Sequence, residues 1–369
     1  MKILEIIPTL ASGGGERFVV DLSNELSKDK NNKVNLLTIK DDTIGNNSFN
    51  KKDLSSDVHY SCMNIKKYSL GTLLRLYSEI KKIKPDLVHF HLSSAMNVMF
   101  FAIFFYRKPI YVQTLHGKAD KQQTNFIGYI LRKIIYKFSL VKIKTISDDN
   151  DRLFKEFYKA KGDGVIYNGR AELKPVSFEA VKAEVDSYKK DENTLVFIHV
   201  ARFHPEKNQE LLINTFNKIL SSGANITLMI VGAYFDTPAA KHLVEKAHKD
   251  IHFLGLKSNV GDYLRNADAF VLSSFNEGMP ISLIEAMSCK CALISTPVSG
   301  CVDIIKNGEN GYMSKDFSEE SFTETILKYI ETNKEINKEE IYNYYKENLS
   351  MDKCAEQYNQ FFKECLGIV

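Results

Sequence analysis

Two glutamates with seven residues between them, Glu277 and Glu285, are the most informative side chains in this sequence. The apolar run 268–273 before them predicts a buried strand, and residues 281–287 predict a helix whose first turn can accept Pro280. A tight turn leading into a helix N-terminus attracts anions through backbone N–H groups and the helix dipole. The carboxylates of Glu277 and Glu285, on either side of such an anion, would accept hydrogen bonds from hydroxyl groups of the ligand. The pattern favours a ligand such as a nucleotide sugar, with helix capping and a solvated Glu285 as the alternative.

A second group of candidates follows the predicted strand 196–201. Arg202 and Lys207 flank the start of the next helix, which Asn208 can cap. Two cations beside a helix N-terminus are suited to hold a diphosphate. Solvated surface charges are the alternative interpretation.

A glycine-rich loop, Gly13 to Gly15, follows the first predicted strand and leads into a helix. Glycines allow the backbone to approach a ligand closely, although a simple tight turn has the same composition. Phe18 stands where a dinucleotide fingerprint requires a third glycine, and no Lys-Ser/Thr pair follows the loop. The loop therefore fits neither an NAD-binding nor a Walker-type phosphate motif.

Three histidines and one acidic triplet complete the candidates. His116 follows the predicted strand 110–115, and His89 and His91 alternate along the preceding strand, although lone histidines are more often structural. Residues 149–151 form an Asp-Asn-Asp triplet at a predicted helix start, where carboxylates act as caps. No other cluster has metal-ligand spacing, so we expect neither a metal nor a cofactor.

The elements that must position these residues alternate between strands and helices. Predicted strands are 3–8, 34–39, 86–92, 110–115, 142–147, 164–167, 195–201, 225–231, 251–254, 269–273 and 292–295. Predicted helices are 16–27, 70–83, 126–138, 208–221, 239–249, 260–265 and 280–288. This alternation predicts an α/β protein of two doubly wound domains facing across a cleft, with ligands at the carboxyl ends of the strands. We expect domains at 1–168 and 195–351, joined by a polar linker at 169–194.

The charge is unevenly distributed. Residues 1–170 contain 28 Lys and Arg against 17 Asp and Glu, whereas the remainder has 21 against 29. Bulky apolar residues alternate with cations over 129–138, including Arg132, Lys133 and Lys137, which favours contact with an anionic bilayer. A core helix with a solvated basic edge is the alternative, and nucleic acid is not expected because no binding motif accompanies the charge.

Localisation signals are few. The start of the chain lacks the features of a secretory signal, and the apolar stretch 95–106 is too short to span a bilayer. The six cysteines form no CxxC pair, which is typical of a reduced thiol set without zinc. We therefore expect a cytoplasmic protein, peripheral on the inner face of the cytoplasmic membrane.

Together these motifs resemble the retaining glycosyltransferases of family 4, which have the GT-B fold. The resemblance covers nearly the whole chain, and the Glu-x7-Glu segment with Pro280 and Glu285-Ala286-Met287 is its most specific part. The other matching segments are 13–17, 115–117, 146–148, 165–169, 200–207 and 253–255. The family also suggests that the last helix, 352–369, packs back on the first domain.

The resemblance implies a role for each matching position. Arg202 and Lys207 would hold the donor diphosphate in place of a metal, Glu277 and His116 would contact the donor sugar, and Glu285 would bind the ribose. The remaining donor contacts would be Gly14, Gly15, Asn168, Gly255, Leu256, Lys257, Gly278, Met279, Pro280, Ile281 and Ser282. Arg17 and His91 are assigned to the acceptor side.

The implied activity is a retaining, metal-independent transfer from a nucleotide sugar, such as a UDP-sugar, to a polyprenyl-linked or other glycan in bacterial surface polysaccharide synthesis. A 2-epimerase or phosphorylase on the same fold is one alternative, and a catalytically silent partner subunit is another. The sequence leaves the sugar, the acceptor and the oligomeric state open.

Overall fold

The computed structural model describes residues 1–117 and 126–368. These residues divide into two compact units: unit 1 comprises Met1–Ala171 with Asn348–Val369, and unit 2 comprises Glu172–Glu347. Within the described residues, each unit contains a six-stranded sheet in which every strand pair is parallel.

The strands of unit 1 are β1 (Lys2–Ile7), β2 (Lys33–Lys40), β3 (His59–Ile65), β4 (Leu87–His91), β5 (Ile110–Leu115) and β6 (Lys142–Thr145). Its helices are α1 (Gly14–Leu26), α2 (Leu70–Ile83), α3 (Ser93–Phe105), α4 (Phe126–Lys137), α5 (Asp148–Tyr158) and, at the C-terminus, α14 (Met351–Leu366). The spatial order is β3-β2-β1-β4-β5-β6, and α14 packs against α1.

The strands of unit 2 are β7 (Leu195–Val200), β8 (Ile226–Val231), β9 (Ile251–Gly255), β10 (Ala269–Leu272), β11 (Ala292–Ser295) and β12 (Gly311–Met313). Its helices are α6 (Phe178–Asp186), α7 (Gln209–Ser221), α8 (Lys241–Lys246), α9 (Val260–Arg265), α10 (Ile281–Ser288), α11 (Cys301–Ile304), α12 (Glu319–Thr332) and α13 (Lys338–Tyr344). The order β12-β11-β10-β7-β8-β9 repeats the pattern of the first sheet.

The predicted α/β class with two doubly wound sheets is confirmed. In each sheet the strand order reverses at the first strand, between β1 and β4 and between β7 and β10. Ligands of open parallel sheets bind outside the carboxyl ends of the strands at such a switch point. The central strands are almost completely buried because helices cover both faces, and this explains their continuous apolar runs.

Several element predictions were wrong. The predicted strand 164–167 contains only an isolated bridge between Val165 and Thr145. The edge strands β3 and β12 were missed, because β3 has mixed burial and β12 has only three residues. Helix α6 occupies part of the predicted linker, and α10 begins at Ile281, with Pro280 as its N-cap rather than in its first turn.

Candidate functional site

Lys207 and Glu277 form an ion pair at the switch point of unit 2. Lys207 ends a 3₁₀ turn shortly after β7, and Glu277 lies in the loop after β10. The ammonium Nζ lies 2.7 Å from Glu277 Oε1, which also accepts a 2.6 Å hydrogen bond from Ser274 Oγ. The side chains remain 25% and 11% exposed, so the pair is accessible to a ligand.

The backbone around this pair is held in place by hydrogen bonds between the two loops. Ser273 Oγ donates to the carbonyl of Lys207 at 2.9 Å, and the Phe275 N–H donates to the carbonyl of Glu206 at 2.8 Å. These contacts join segments more than 60 residues apart in sequence. Because these bonds join the two loops directly, they hold the backbone of Lys207 close to the loop that carries Glu277.

Arg202 lies near this pair in sequence but does not join it. Its carbonyl accepts a hydrogen bond from Gln209 Nε2 at 2.9 Å, whereas the residue is exposed. Within the described part of the chain, its guanidinium forms no ion pair. Arg202 is therefore available to an anionic ligand at the same edge of the sheet.

The loop from Gly278 to Pro280 leads directly into the N-terminus of α10. Gly300 packs against it with a φ of +77°, and a Cβ there would lie 2.8 Å from the Gly278 carbonyl oxygen and from Met279 Cα. Only glycine fits both the conformation and the space. Ser274 and Gly300 were missed because neither belongs to a recognisable motif on its own.

Glu285 lies on the second turn of α10, with Ile281 and Ser282 in the first turn. The residue is only 8% exposed, which excludes the alternative of a solvated surface glutamate. Glu277 therefore places one carboxylate on the loop, and Glu285 places a second on a buried helix. Both belong to the same strand–loop–helix segment.

The remaining predicted donor contacts of unit 2 begin at Gly255, the last residue of β9, and this strand is separated from β7 by β8. Gly255 has a φ of +69°, and Leu256 is 60% exposed. Lys257 Nζ lies 5.1 Å from the ring centroid of Tyr263, whose hydroxyl is the main cause of a raised Lys257 pKa. Residues 255–257 lie at the same carboxyl edge of the sheet as the Lys207–Glu277 pair but form a group separate from it.

In unit 1 the glycine-rich loop approaches two other candidates. Gly13 is the N-cap of α1, so Gly14 and Gly15 form its first residues. A Cβ on Gly15 would lie 3.1 Å from Leu92 Cδ2 and 3.8 Å from His116 Cγ. The close approach explains the glycine at position 15 and places the loop beside His116.

His116 belongs to a buried network that the sequence did not reveal. Its Nε2 lies 3.0 Å from His91 Nδ1, and His91 Nε2 lies 2.7 Å from Glu5 Oε2. His89 Nδ1 lies 3.0 Å from the same carboxylate oxygen. Glu5, His89 and His91 are 0% exposed. Glu5 was missed because one acidic residue inside an apolar strand carries no motif.

The burial of this network shifts its proton equilibria. Burial alone would raise the pKa of Glu5, but the charge of His89 and hydrogen bonds from both histidines lower it to about 2. Burial and the neighbouring His89 lower the pKa of His91 to about 4, despite its bond to Glu5. Burial, together with His91 and His89, also places the pKa of His116 well below its usual value.

The donor atoms of Glu5, His89 and His91 lie within 4.8 Å of one another, and three such groups can hold a metal ion. Their contacts of 2.7 to 3.0 Å are hydrogen-bond distances. The acidic triplet 149–151 lies in the first turn of α5, whose N-cap Ser147 accepts from the Asn150 N–H. The triplet lies at a helix start as predicted, but the N-cap itself is Ser147 and the two carboxylates lie within the first turn.

Other predicted residues of unit 1 are held by structural contacts. Arg17 forms ion pairs with Asp21 at 2.7 Å and Asp53 at 2.6 Å, so its charge is balanced within the unit. Asn168 is buried at 3% exposure, shortly before Arg170, which also pairs with Asp21.

The predicted membrane face requires one correction. Arg132 is buried and donates to Asn97 Oδ1 at 2.8 Å, because it points from α4 into the unit rather than outward. Lys133 and Lys137 are exposed on α4, as predicted. No helix in the described residues is long and apolar enough to cross a membrane.

Comparisons with known proteins agree on one protein class. Residues 12–170 match the family model Glycosyltransferase Family 4, and residues 181–348 match Glycosyl transferases group 1. The capsular polysaccharide biosynthesis glycosyltransferase CapM of Staphylococcus aureus is 24% identical, over 81% of this chain and 83% of its own length. An Escherichia coli UDP-Gal:α-D-GlcNAc-diphosphoundecaprenol α-1,3-galactosyltransferase is 25% identical, over 72% of each chain.

Solved structures share the fold at low sequence identity. Anabaena HepE in complex with UDP and glucose has a TM-score of 0.81 and 17% identity, covering 99% of this chain and all of its own. Sucrose-phosphate synthase from Thermosynechococcus elongatus has a TM-score of 0.81 and 16% identity, with complete coverage of both chains.

Proposed function

The chain belongs to glycosyltransferase family 4 and has the GT-B fold, and we propose that it moves a sugar from a nucleotide diphosphate sugar to a lipid-linked or glycan acceptor. The observation that carries this proposal is the Lys207–Glu277 pair at the switch point of unit 2. A cation suited to a phosphate and a carboxylate suited to sugar hydroxyls lie 2.7 Å apart there. They also precede the N-terminus of α10, which attracts an anion.

In the proposed mechanism, Lys207 and the exposed Arg202 bind the donor diphosphate. Negative charge grows on the leaving diphosphate as the glycosidic bond breaks, and fixed cations stabilise that charge. They would supply the positive charge that a metal ion supplies in other enzymes. Transfer would retain the anomeric configuration, with the acceptor attacking from the face that the diphosphate leaves.

The other donor groups divide between the sugar and the nucleoside. Glu277 would accept hydrogen bonds from sugar hydroxyls, and Glu285 would bind the ribose. Gly278 to Ser282 would place backbone N–H groups near sugar and phosphate, and Gly255 to Lys257 would contact the base. In unit 1 we assign His116, Gly14 and Gly15 to the sugar and diphosphate, with Asn168 on the donor side and Arg17 on the acceptor side. His91, predicted to contact the acceptor, is fully buried and has both ring nitrogens hydrogen-bonded, so it is not assigned a direct contact.

The names of the relatives support a choice of substrates. CapM acts in capsular polysaccharide biosynthesis, and the E. coli relative transfers galactose from a UDP-sugar to a diphosphoundecaprenol-linked sugar. We therefore propose a UDP-sugar donor carrying a hexose or N-acetylhexosamine, and a polyprenyl-linked acceptor in bacterial surface polysaccharide synthesis.

A lipid-linked acceptor requires access to a membrane, and α4 offers a suitable surface. Its exposed apolar side chains are Phe126, Ile127, Ile130 and Ile134, and Phe138 follows the helix. Lys133 and Lys137 are exposed among them. An apolar face with adjacent cations suits an anionic lipid surface. We propose that this surface attaches the protein peripherally to the inner face of the cytoplasmic membrane.

The donor is tested by incubating the purified protein with a panel of nucleoside diphosphate sugars. A bound donor raises the thermal unfolding midpoint because it stabilises only the folded state. We expect a UDP-sugar to give the largest rise, and polyprenyl-diphosphate-linked saccharide to be glycosylated when both are present. Conversion of the donor into an epimer without any acceptor would contradict the transferase assignment, as would binding with no turnover for any acceptor.

The membrane surface is tested by sedimentation with vesicles of phosphatidylglycerol and phosphatidylcholine. Binding should weaken with added salt and in the Lys133→Gln/Lys137→Gln variant, because each cation near an anionic surface contributes about 1 kcal/mol. Lys218→Gln/Lys249→Gln is the matched control, since both lysines are exposed in unit 2. Equal loss in the two double variants would show that the α4 surface is not responsible.

A further inference from the structure

The buried network of unit 1 is a chain of hydrogen bonds that ends at His116. Glu5 on β1 contacts two imidazoles on β4, at 2.7 Å to His91 Nε2 and 3.0 Å to His89 Nδ1. The His91 ring continues the chain through Nδ1 to His116 Nε2 at 3.0 Å. Because Glu5, His89 and His91 are fully buried, water cannot replace the two bonds to the Glu5 carboxylate.

The order of donors along this chain follows from the carboxylate. An ionised carboxylate can only accept hydrogen bonds, so His91 must carry its hydrogen on Nε2. A neutral imidazole has only one N–H, so His91 Nδ1 is an acceptor. The hydrogen between the two rings must then belong to His116 Nε2. This leaves His116 Nδ1 without a hydrogen.

The proton equilibria support this assignment. The pKa of Glu5, about 2, keeps the carboxyl ionised at neutral pH. The pKa of His91, about 4, keeps its ring neutral. The reverse arrangement, in which a doubly protonated His91 donates from Nδ1 to His116 Nε2, is therefore disfavoured. The lowered pKa of His116 likewise disfavours its doubly protonated form.

The His116 end of this series of hydrogen bonds indicates a ligand. His116 Nδ1 is occluded from solvent and has no hydrogen-bond partner among residues 1–117 and 126–368. A buried acceptor left unpaired is destabilising, because it has lost its hydrogen bonds to water without gaining others. The ring also lies beside the glycine loop, since a Cβ on Gly15 would be 3.8 Å from His116 Cγ. A hydroxyl group of a bound sugar would supply the missing donor.

We propose that Glu5 and His91 are positioning residues that hold His116 with its hydrogen on Nε2, so that Nδ1 accepts a hydrogen bond from a substrate hydroxyl. His116 then selects a ligand that offers an O–H at this point and disfavours one that offers only an acceptor. The contact with a substrate rests on the proposed function, whereas the position of the hydrogen is a property of the free protein.

The first test is the nitrogen NMR spectrum of the wild-type protein labelled with ¹⁵N-histidine, without ligand at neutral pH. His116→Gln identifies the signals of His116 by removing them. We expect the Nδ1 signal of His116 at the position of an unprotonated nitrogen and its Nε2 signal at that of a protonated one, with the same pattern for His91. A protonated Nδ1 on His116 would overturn the proposal, even if the protein proves to be an active transferase.

The second test changes the carboxylate. In Glu5→Gln the amide can donate as well as accept, so His91 and His116 should become mixtures of the two tautomers and the His116 Nδ1 signal should shift toward the protonated position. Tyr358→Phe is the control, because in the described part of the chain the Tyr358 hydroxyl is hydrogen-bonded to Thr114, which contacts His89 on the far side of Glu5. A purely structural role for Glu5 predicts an unchanged His116 tautomer in a folded Glu5→Gln variant, and this result would overturn the proposal.

Metal analysis provides an independent test. The purified protein should contain no stoichiometric zinc, and added Zn²⁺ should leave the His89 and His91 signals unchanged. One tightly held zinc per chain would overturn the proposal, because Glu5, His89 and His91 would then be metal ligands. In that case the hydrogen bond from His91 to Glu5 would be absent and could not determine which nitrogen of His116 carries its hydrogen.

Discussion

The two sheets place charged groups differently at their switch points. In unit 2, Lys207 and Glu277 are 25% and 11% exposed and contact each other through side-chain atoms on loops. In unit 1, Glu5, His89 and His91 are 0% exposed and belong to the strands themselves. A ligand can compete for the first pair, whereas the second group is closed to solvent. Under the proposed function, this difference separates residues that would contact a ligand from residues that would fix the geometry around it.

This comparison has an energetic consequence. An ion pair that keeps some contact with water contributes less to stability than a fully buried one, because water screens its Coulomb attraction. A buried charge that loses its partners is strongly destabilising. Substitutions in unit 2 should therefore reduce activity at nearly constant stability, and those in unit 1 should first reduce stability.

The largest effect is expected for Glu5→Ala. Removing the carboxylate leaves the N–H groups of His89 and His91 without their buried acceptor, and at about 1–3 kcal/mol for each unpaired donor we expect a loss of about 2–5 kcal/mol in the free energy of unfolding. Denaturant unfolding measures the loss. Glu356→Ala is the control, since Glu356 is 70% exposed and pairs with the surface residue Lys353, so about 0–1 kcal/mol is expected. Equal losses would show that the buried network is no more important than a surface pair.

The second effect concerns catalysis in unit 2. Lys207→Ala and Glu277→Gln should each lower kcat/KM by about 10²–10³-fold, the range found when one donor to a developing charge is removed. Stability should change by no more than about 1 kcal/mol because the pair is partly exposed. Lys218→Ala, an exposed lysine on α7, is the control with unchanged activity. Full transfer by either site variant would remove that residue from the mechanism.

A third substitution tests the loop that carries Glu277. Gly300→Ala places a Cβ 2.8 Å from the Gly278 carbonyl oxygen at a φ of +77°, so the loop must move. We expect about 1–3 kcal/mol of destabilisation and weaker donor binding, measured by unfolding and by donor titration. Gly223→Ala is a matched control, because Gly223 has a φ of +90° and nothing lies within 4 Å of its Cβ position. If both variants bind the donor normally, contact with Gly300 does not position the loop.

The same comparison explains what the sequence could predict. The strand–loop–helix segment around Glu277 is continuous in the chain, so its residues and their edge of the sheet were predictable from local pattern. The Lys207–Glu277 contact joins residues 70 apart, and only the strand order brings them together.

The network around Glu5 was also not predictable, because its members are distant in sequence and meet only through the strand order. Glu5 and His91 lie 86 residues apart, on strands whose neighbouring positions depend on the order of the whole sheet. Arg132 was assigned to the outer face of α4 from its charge, but its long side chain reaches Asn97 inside the unit. Periodicity gives the position of a Cα atom on a helix, whereas the final position of a long side chain depends on packing.

The smallest effect is the dependence of stability on pH, and its sign follows from the histidines. The pKa of buried His91 in unit 1 is lowered to about 4, and burial lowers that of His199 in unit 2 to about 4 as well. Below pH 6.5 the unfolded chain binds protons that the folded chain does not, so the free energy of unfolding falls as the pH is lowered. Between pH 7 and 5 each histidine should contribute a loss of about 1–2 kcal/mol, at about 1.4 kcal/mol for each pKa unit.

Glu5 contributes only at lower pH, which distinguishes the two units. Its pKa of about 2 lies below the ordinary 4.5, so its stabilising contribution is complete above pH 4.5 and is lost as the pH falls toward 2. His199→Gln should therefore reduce the slope of stability between pH 7 and 5, and Glu5→Gln should reduce it below pH 4.5. Denaturant unfolding at several pH values measures both slopes. A free energy of unfolding that stays constant from pH 7 to 5 would mean that the histidines titrate alike in the folded and unfolded states, and a rise would mean that they are already charged in the folded protein. Either result would contradict the closed environment assigned to His91 and His199.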